Sequence, residues 1–132
     1  MPAGDDRPAK PLIDKLGVAP GARVAVVGSI DAPLLVQIRE RASTLTHGAP
    51  RAECDMVIYV ADVPADLLRL PALRRRLASS GAIWVATPRG RTDLQDVHVI
   101  DAARRAGLVD NKVVRFSDTH TALRLVVPRS LR

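Results

Sequence analysis

Apolar residues follow two rhythms in this chain, and the change between them divides it. From residue 11 to about residue 107, short unbroken apolar runs alternate with stretches in which apolar residues recur every three or four positions. Beyond that point they alternate in twos. An unbroken run bounded by turn residues is the pattern of a strand buried on both faces, as in a parallel sheet. Arg23 to Val27, Met56 to Ala61 and Ala82 to Ala86 fit it and predict strands near 23–28, 55–61 and 82–87.

The stretches between them read as helices. Pro11 to Leu16 makes a short helix ended by Gly17, and Pro20-Gly21 is a turn. Asp31 caps the next helix, with Pro33 in its first turn and Leu34, Leu35, Ile38 and Ala42 along one face. Asp62 and Pro64 open a helical region in which Pro71 starts a second piece. Its inner face is Leu67, Leu70, Leu73 and Leu77, and Gly81 closes it. Thr92 and Gln95 read as a capping box, Leu94, Val97, Ile100 and Ala103 face inward, and Gly107-Leu108 is a stop.

In the last part, Val114 and Phe116 alternate with Val113, Arg115 and Ser117. Leu123, Leu125 and Val127 alternate with Arg124 and Val126. The two predicted strands, near 112–117 and 122–128, are too close for a parallel crossover, which takes a dozen or more residues, so they pair as an antiparallel hairpin. The expected spatial order is first, second, third, fifth, fourth. The fold class is therefore α/β in three layers, with a mostly parallel sheet and a C-terminal antiparallel hairpin. A single domain spans 11–132, behind a polar tail at 1–10. Val24 to Val27 then lies at or near a sheet edge, which needs a cover. Either Ser43 to His47, where Leu45 stands between two threonines, adds a short strand, or a second copy packs there in a homodimer.

Composition narrows the function classes. No apolar run approaches the roughly 20 residues needed to span a bilayer, and MPAGDDRPAK lacks the apolar centre of a signal peptide, so a cytoplasmic location is expected. One cysteine, Cys54, excludes an intramolecular disulfide and a cysteine-cluster metal site. The 20 Lys and Arg against 14 Asp and Glu give +6, a balance that attracts polyanions. The cations are scattered, however, and one Trp, one Tyr and one Phe provide no row of rings for stacking bases. A solvated Arg-rich surface is preferred to nucleic-acid binding.

Three strand-helix units and a hairpin form the C-terminal plan of class I S-adenosylmethionine-dependent methyltransferases. KLGVAPGARVAVVG, LPALRRRLASSGAIWVATPR and AARRAGLVDNKV resemble a small bacterial family of uncharacterised methyltransferase-like domains, over roughly residues 11 to 129. The resemblance implies a truncated, Rossmann-like methyltransferase fold and no particular activity. It also exposes departures. The active enzymes hold adenosylmethionine against a glycine-rich turn after the first strand, where only glycine lets backbone and ligand approach closely. Aligned on Gly28, that turn carries Ile30 and Ala32, and the usual acidic residue of the strand is Val26. The acidic residue that ends the second strand has no counterpart, since Glu53 stands where a strand begins. No cofactor is expected.

Open α/β sheets bind ligands beyond the carboxyl ends of their strands. Those ends carry Ser29, Asp31, Asp62, Thr87, Arg89 and Arg91, a candidate site for a small anion beside the helix start at Thr92. The plainer reading makes both Asp residues helix caps and both Arg residues solvated. His47, His98 and His120 have no metal-ligand spacing and no Ser or Cys that the sequence sets beside them; Ser117, Asp118 and His120 read as ordinary turn residues. No catalytic or metal-binding residue is assigned. Three functions follow: a non-catalytic binding or regulatory domain with a protein partner, a binder or enzyme for an anionic ligand at the crevice, or a nucleic-acid accessory protein.

Overall fold

The computed structural model describes residues 10–132, so the tail expected over 1–10 lies, Lys10 apart, outside the described residues. The chain runs α1 (Leu12–Leu16), β1 (Arg23–Val27), α2 (Ala32–Arg41), β2 (Thr44–His47), β3 (Cys54–Val60) and a 3-10 turn (Pro64–Arg69). It continues with α3 (Leu70–Arg75), β4 (Leu77–Pro88), α4 (Asp96–Arg105), β5 (Val109–Arg115) and β6 (His120–Val126). The sheet order is β2-β1-β3-β4-β6-β5. The first four strands are parallel, and β6 is antiparallel to both its neighbours.

This is the mostly parallel sheet with an inserted return strand that the pattern predicts. Thr44–His47 settles how the β1 edge is covered: β2 pairs with it in parallel, Leu45 opposite Val24, which leaves β1 one strand in from the edge.

Alternation along each strand builds two cores. On one face Ile13, Leu16, Leu34 and Ile38 of α1 and α2 pack on Val24, Val26, Met56, Ile58 and Trp84. On the other, Leu67, Leu70, Leu73, Val99 and Ala103 pack on Val57, Tyr59, Ile83, Val85, Leu123 and Leu125. The buried Trp84 indole donates to the Leu16 carbonyl at 3.0 Å, which fixes α1 against the sheet. Burying a side chain of this size stabilises by roughly 1.5–3 kcal/mol.

Several local expectations are corrected. Gly81 does not close a helix. α3 ends at Arg75 and β4 already runs from Leu77, with a register shift opposite Cys54 and Met56. A Cβ at Gly81 would meet the Asp55 carbonyl oxygen at 2.6 Å, so the glycine serves a close approach between strands. β5 and β6 each begin and end about two residues earlier than the alternation indicates, at Val109–Arg115 and His120–Val126.

The capping box is displaced. α4 starts at Asp96, and the Gln95 backbone N–H donates to His98 Nδ1 at 2.9 Å, leaving Thr92 in the preceding turn. The displacement exposes Val97 and turns Val99 inward. At its other end α4 stops as expected. Gly107 is left-handed, its N–H donates to the Arg104 carbonyl, and the Leu108 N–H donates to the Ala103 carbonyl.

Candidate functional site

Two clefts open at the carboxyl ends of the strands, and they divide the candidate residues. The larger, about 420 Å³, lies over the end of β4 and is lined by Thr87, Arg89, Arg91, Thr92, Gln95 and Thr121. The smaller, about 170 Å³, lies over the end of β1 and holds Ser29 and Asp31 on a floor of Ile30, Leu34, Val60 and Phe116. Asp62 lines neither cleft. It bonds instead to His120, which lines the smaller one, and to Arg91, which lines the larger.

The cations of the larger cleft are already engaged. Arg91 makes a two-pronged bond to Asp93, Nε to Oδ1 at 2.7 Å and Nη2 to Oδ2 at 2.6 Å, and its Nη1 donates to the Asp62 carbonyl at 3.0 Å. Hydrogen bonding from Arg91 holds the Asp93 carboxyl below the usual carboxylate range, and the same pair raises Arg91. Arg89 donates to the Asp118 carbonyl, and its backbone N–H donates to the Thr119 carbonyl at 2.8 Å. Both Arg residues therefore stitch the β4–α4 loop to its neighbours. Thr87 is buried within the sheet opposite Thr121.

Neither Asp acts as a helix cap through its side chain. Asp31 stands at the N-cap of α2 without a side-chain bond to the helix start. Asp66 satisfies the start of the 3-10 turn, its Oδ2 accepting from the Asp62 and Val63 N–H groups at 3.0 and 3.2 Å. The Asp62 carboxylate is thereby free to take another partner.

That partner is His120. Its Nε2 lies 2.8 Å from Asp62 Oδ1, and its Nδ1 lies 2.7 Å from Thr119 Oγ1. A carboxylate only accepts, so Nε2 donates, and in the neutral ring Nδ1 accepts from the threonine hydroxyl. Ser117 Oγ closes the turn by accepting the N–H groups of Thr119 and His120 at 3.2 and 3.1 Å. Sequence reasoning left His120 as a turn residue because Asp62 is 58 positions away. The signal was in the predicted strand order, which brings the start of the return strand, His120, to the end of β4 at Pro88.

The fit of adenosylmethionine can be judged from the turn after β1. Gly28 has φ +105, yet a Cβ there would meet Val60 Cβ at 2.9 Å, so its lack of a side chain lets β3 approach and does not clear a ligand path. Ile30 packs against the core, and β2 ends in His47 where the acidic residue would stand. The remaining 170 Å³ is below the roughly 300–1,000 Å³ of small-molecule pockets. The residues present do not fit that cofactor.

Comparison with solved structures shows the fold. The chain is similar to the ribosomal protein L11 methylase of Lactobacillus delbrueckii subsp. bulgaricus, with a TM-score of 0.60 and 13% identity, over 89% of this chain and 75% of that one. It is also similar to a TehB-like SAM-dependent methyltransferase of Corynebacterium glutamicum, with a TM-score of 0.57 and 14% identity, over 89% and 85%. A third likeness is to the magnesium protoporphyrin IX methyltransferase of Synechocystis with bound SAH, with a TM-score of 0.61 and 10% identity, over 89% and 78%. At such identities the likeness speaks for architecture alone, a methyltransferase-like Rossmann fold. No curated protein matches the chain in sequence. A family profile matches residues 14–129, and the chain belongs to the family described as "Protein of unknown function (DUF3052)".

Proposed function

We propose that this chain is a methyltransferase-like domain reused for binding, a cytoplasmic module over residues 11–132 that carries no transfer chemistry of its own. The observation behind this reading is the turn after β1, where Val60 stands against Gly28, Ile30 packs on the core, and a cleft of only about 170 Å³ is left. Among the described residues no helix is long and apolar enough to cross a membrane. The experiment is a thermal titration with adenosylmethionine and adenosylhomocysteine. A ligand at a hundredfold excess over its Kd stabilises by about 2.7 kcal/mol. No shift is expected with either compound, and a saturable shift with either would overturn the reading.

A second reading, an anionic small-molecule site at the carboxyl ends of the strands, draws support from the 420 Å³ cleft between Arg89 and Arg91. In this reading Thr87, Arg89 and Arg91 contact the ligand, while Ser29 and Asp31 line the neighbouring cleft and Asp62 stands between the two, bonded to Arg91 and His120. Binding would have to displace Asp93 from Arg91. A screen of phosphorylated metabolites against wild type and an Arg89→Ala/Arg91→Ala variant tests it. The reading requires a hit that the variant loses while remaining folded.

A further inference from the structure

The opposite end of the sheet carries the one cation in the sheet face that lacks a partner among the described residues. Arg124 lies on β6 between Ala122 and Val126, both buried, and Ala122 belongs to the core on which α1 packs. Strand alternation reserves such a position for a core residue. The β5–β6 register sets Lys112 directly opposite it. Like charges facing each other across a strand pair are destabilising. Among the described residues Lys112 Nζ makes one bond, to the Lys15 backbone carbonyl at 3.2 Å, which ties β5 to α1.

Lys10, Lys15, Lys112 and Arg124 line a basin of about 390 Å³, with Asp14 the one carboxylate among its lining residues. Among the described residues, the nearby carboxylates have cation partners or face away. Asp14 Oδ1 accepts from Arg41 at 2.7 Å, and Asp55 is held by Arg23 Nε and Nη2 at 3.1 and 3.0 Å. Asp110 is opposite Leu125, whose side chain belongs to the other core. Burial, and after it the charge of Arg132, depresses the Arg124 guanidinium, as expected for a cation with no counter-charge among the described residues.

We propose that this basin is an anion site in which Arg124, Lys112 and Lys15 hold a phosphate-bearing small molecule. A carboxylate brings one negative charge, whereas a phosphate brings close to two and three acceptor oxygens, which suits cations converging from three elements. The site stands apart from the carboxyl-end crevice.

Trp84, the only tryptophan of the chain, lines the basin and reports on it locally. Inorganic pyrophosphate is the probe, followed by calorimetry and by the indole N–H resonance. Wild type should bind with a shift of that resonance. Arg124→Gln and Lys112→Gln should each weaken binding about tenfold or more, the worth of one charge-assisted bond. Arg89→Ala/Arg91→Ala should leave the affinity unchanged. If Arg124→Gln fails to fold, Lys15→Gln/Lys112→Gln decides instead. An unmoved indole resonance in wild type, or an affinity indifferent to the basin variants, overturns the proposal.

Discussion

Arg91 and Arg124 stand at opposite ends of one sheet, and their surroundings differ in kind. Arg91 is clamped by Asp93 and the Asp62 carbonyl, in a crevice where His120 also answers Asp62 and Arg89 is tied to the next loop. Arg124 is half-buried, faces Lys112 and has no partner among the described residues. The carboxyl end is where an open α/β sheet ordinarily meets its ligand. Here Arg89 and Arg91 are tied to neighbouring loops, and the cation without a partner among the described residues lies at the other end. The fold therefore predicts where the sheet runs, and the two ends present an anion with different surroundings: paired cations at one, an unpaired one at the other.

The largest effect expected from breaking this comparison is at Trp84, which separates the α1 core from the basin. Trp84→Ala removes a fully buried ring and orphans the Leu16 carbonyl, so a loss of about 3–5 kcal/mol is expected in urea unfolding. A loss under about 1 kcal/mol would mean that α1 is not pinned to the sheet through this residue. At the carboxyl end the corresponding lever is Gly28→Ala. Its φ of +105 and the 2.9 Å approach to Val60 both oppose a side chain, and about 2 kcal/mol of destabilisation is expected. Combining it with Val60→Gly removes the contacting Cβ and leaves the backbone strain. A double-mutant cycle should therefore show positive coupling, and strict additivity would refute the contact.

The sheet order was legible in the sequence because the signals behind it are long. Three unbroken apolar runs and a switch to alternation survive errors of two residues at any end. Caps were less legible, since Gln95 with His98 and Thr92 with Gln95 offer the same spacing and packing chose between them. That choice moved Val97 out and Val99 in. The site was legible only as a group of residues near strand ends. Thr87, Arg89 and Arg91 do meet in one cleft, but Asp62 turns to His120, a pairing that depends on Asp66 relieving Asp62 of any capping role. Arg124 drew no notice because an isolated Arg in an alternating run reads as solvent-facing. Its inward placement depends on which face α1 covers.

A smaller effect comes from Tyr59, the only tyrosine, whose hydroxyl donates to the Asp66 carbonyl at 2.7 Å. Burial, with the Asp66 charge behind it, pushes the phenol up to about 12 from an ordinary 10. A raised pKa means the folded state keeps its proton longer than the unfolded one. The contribution is fully present below pH 10 and is lost as pH rises towards 12, by at most about 1.4 kcal/mol per pH unit. Phenolate absorbance should appear near pH 12, together with loss of structure. Its appearance near pH 10 in a folded protein would show the hydroxyl to be open to solvent.

The smallest effect tests the amino end by its paired charge. Asp55 accepts both the Arg23 backbone N–H at 2.9 Å and the guanidinium of the same residue, joining β1 to β3 just before their ladder begins. Those bonds, the side-chain one foremost, hold the Asp55 carboxyl below the usual carboxylate range. A depressed pKa gives stability that is present above the unfolded value near 4 and is lost as pH falls through the folded one. Asp55→Asn should therefore melt below wild type at neutral pH, and the two melting curves should converge as the solution is acidified. The pair is two-fifths exposed on each side, so salt should narrow the gap as well. A gap that persists unchanged into acid would show that the Asp55 charge does not carry the effect, since protonation would then cost nothing, and the ion pair with Arg23 would lose its place as the charged counterpart of Arg124 at this end of the sheet.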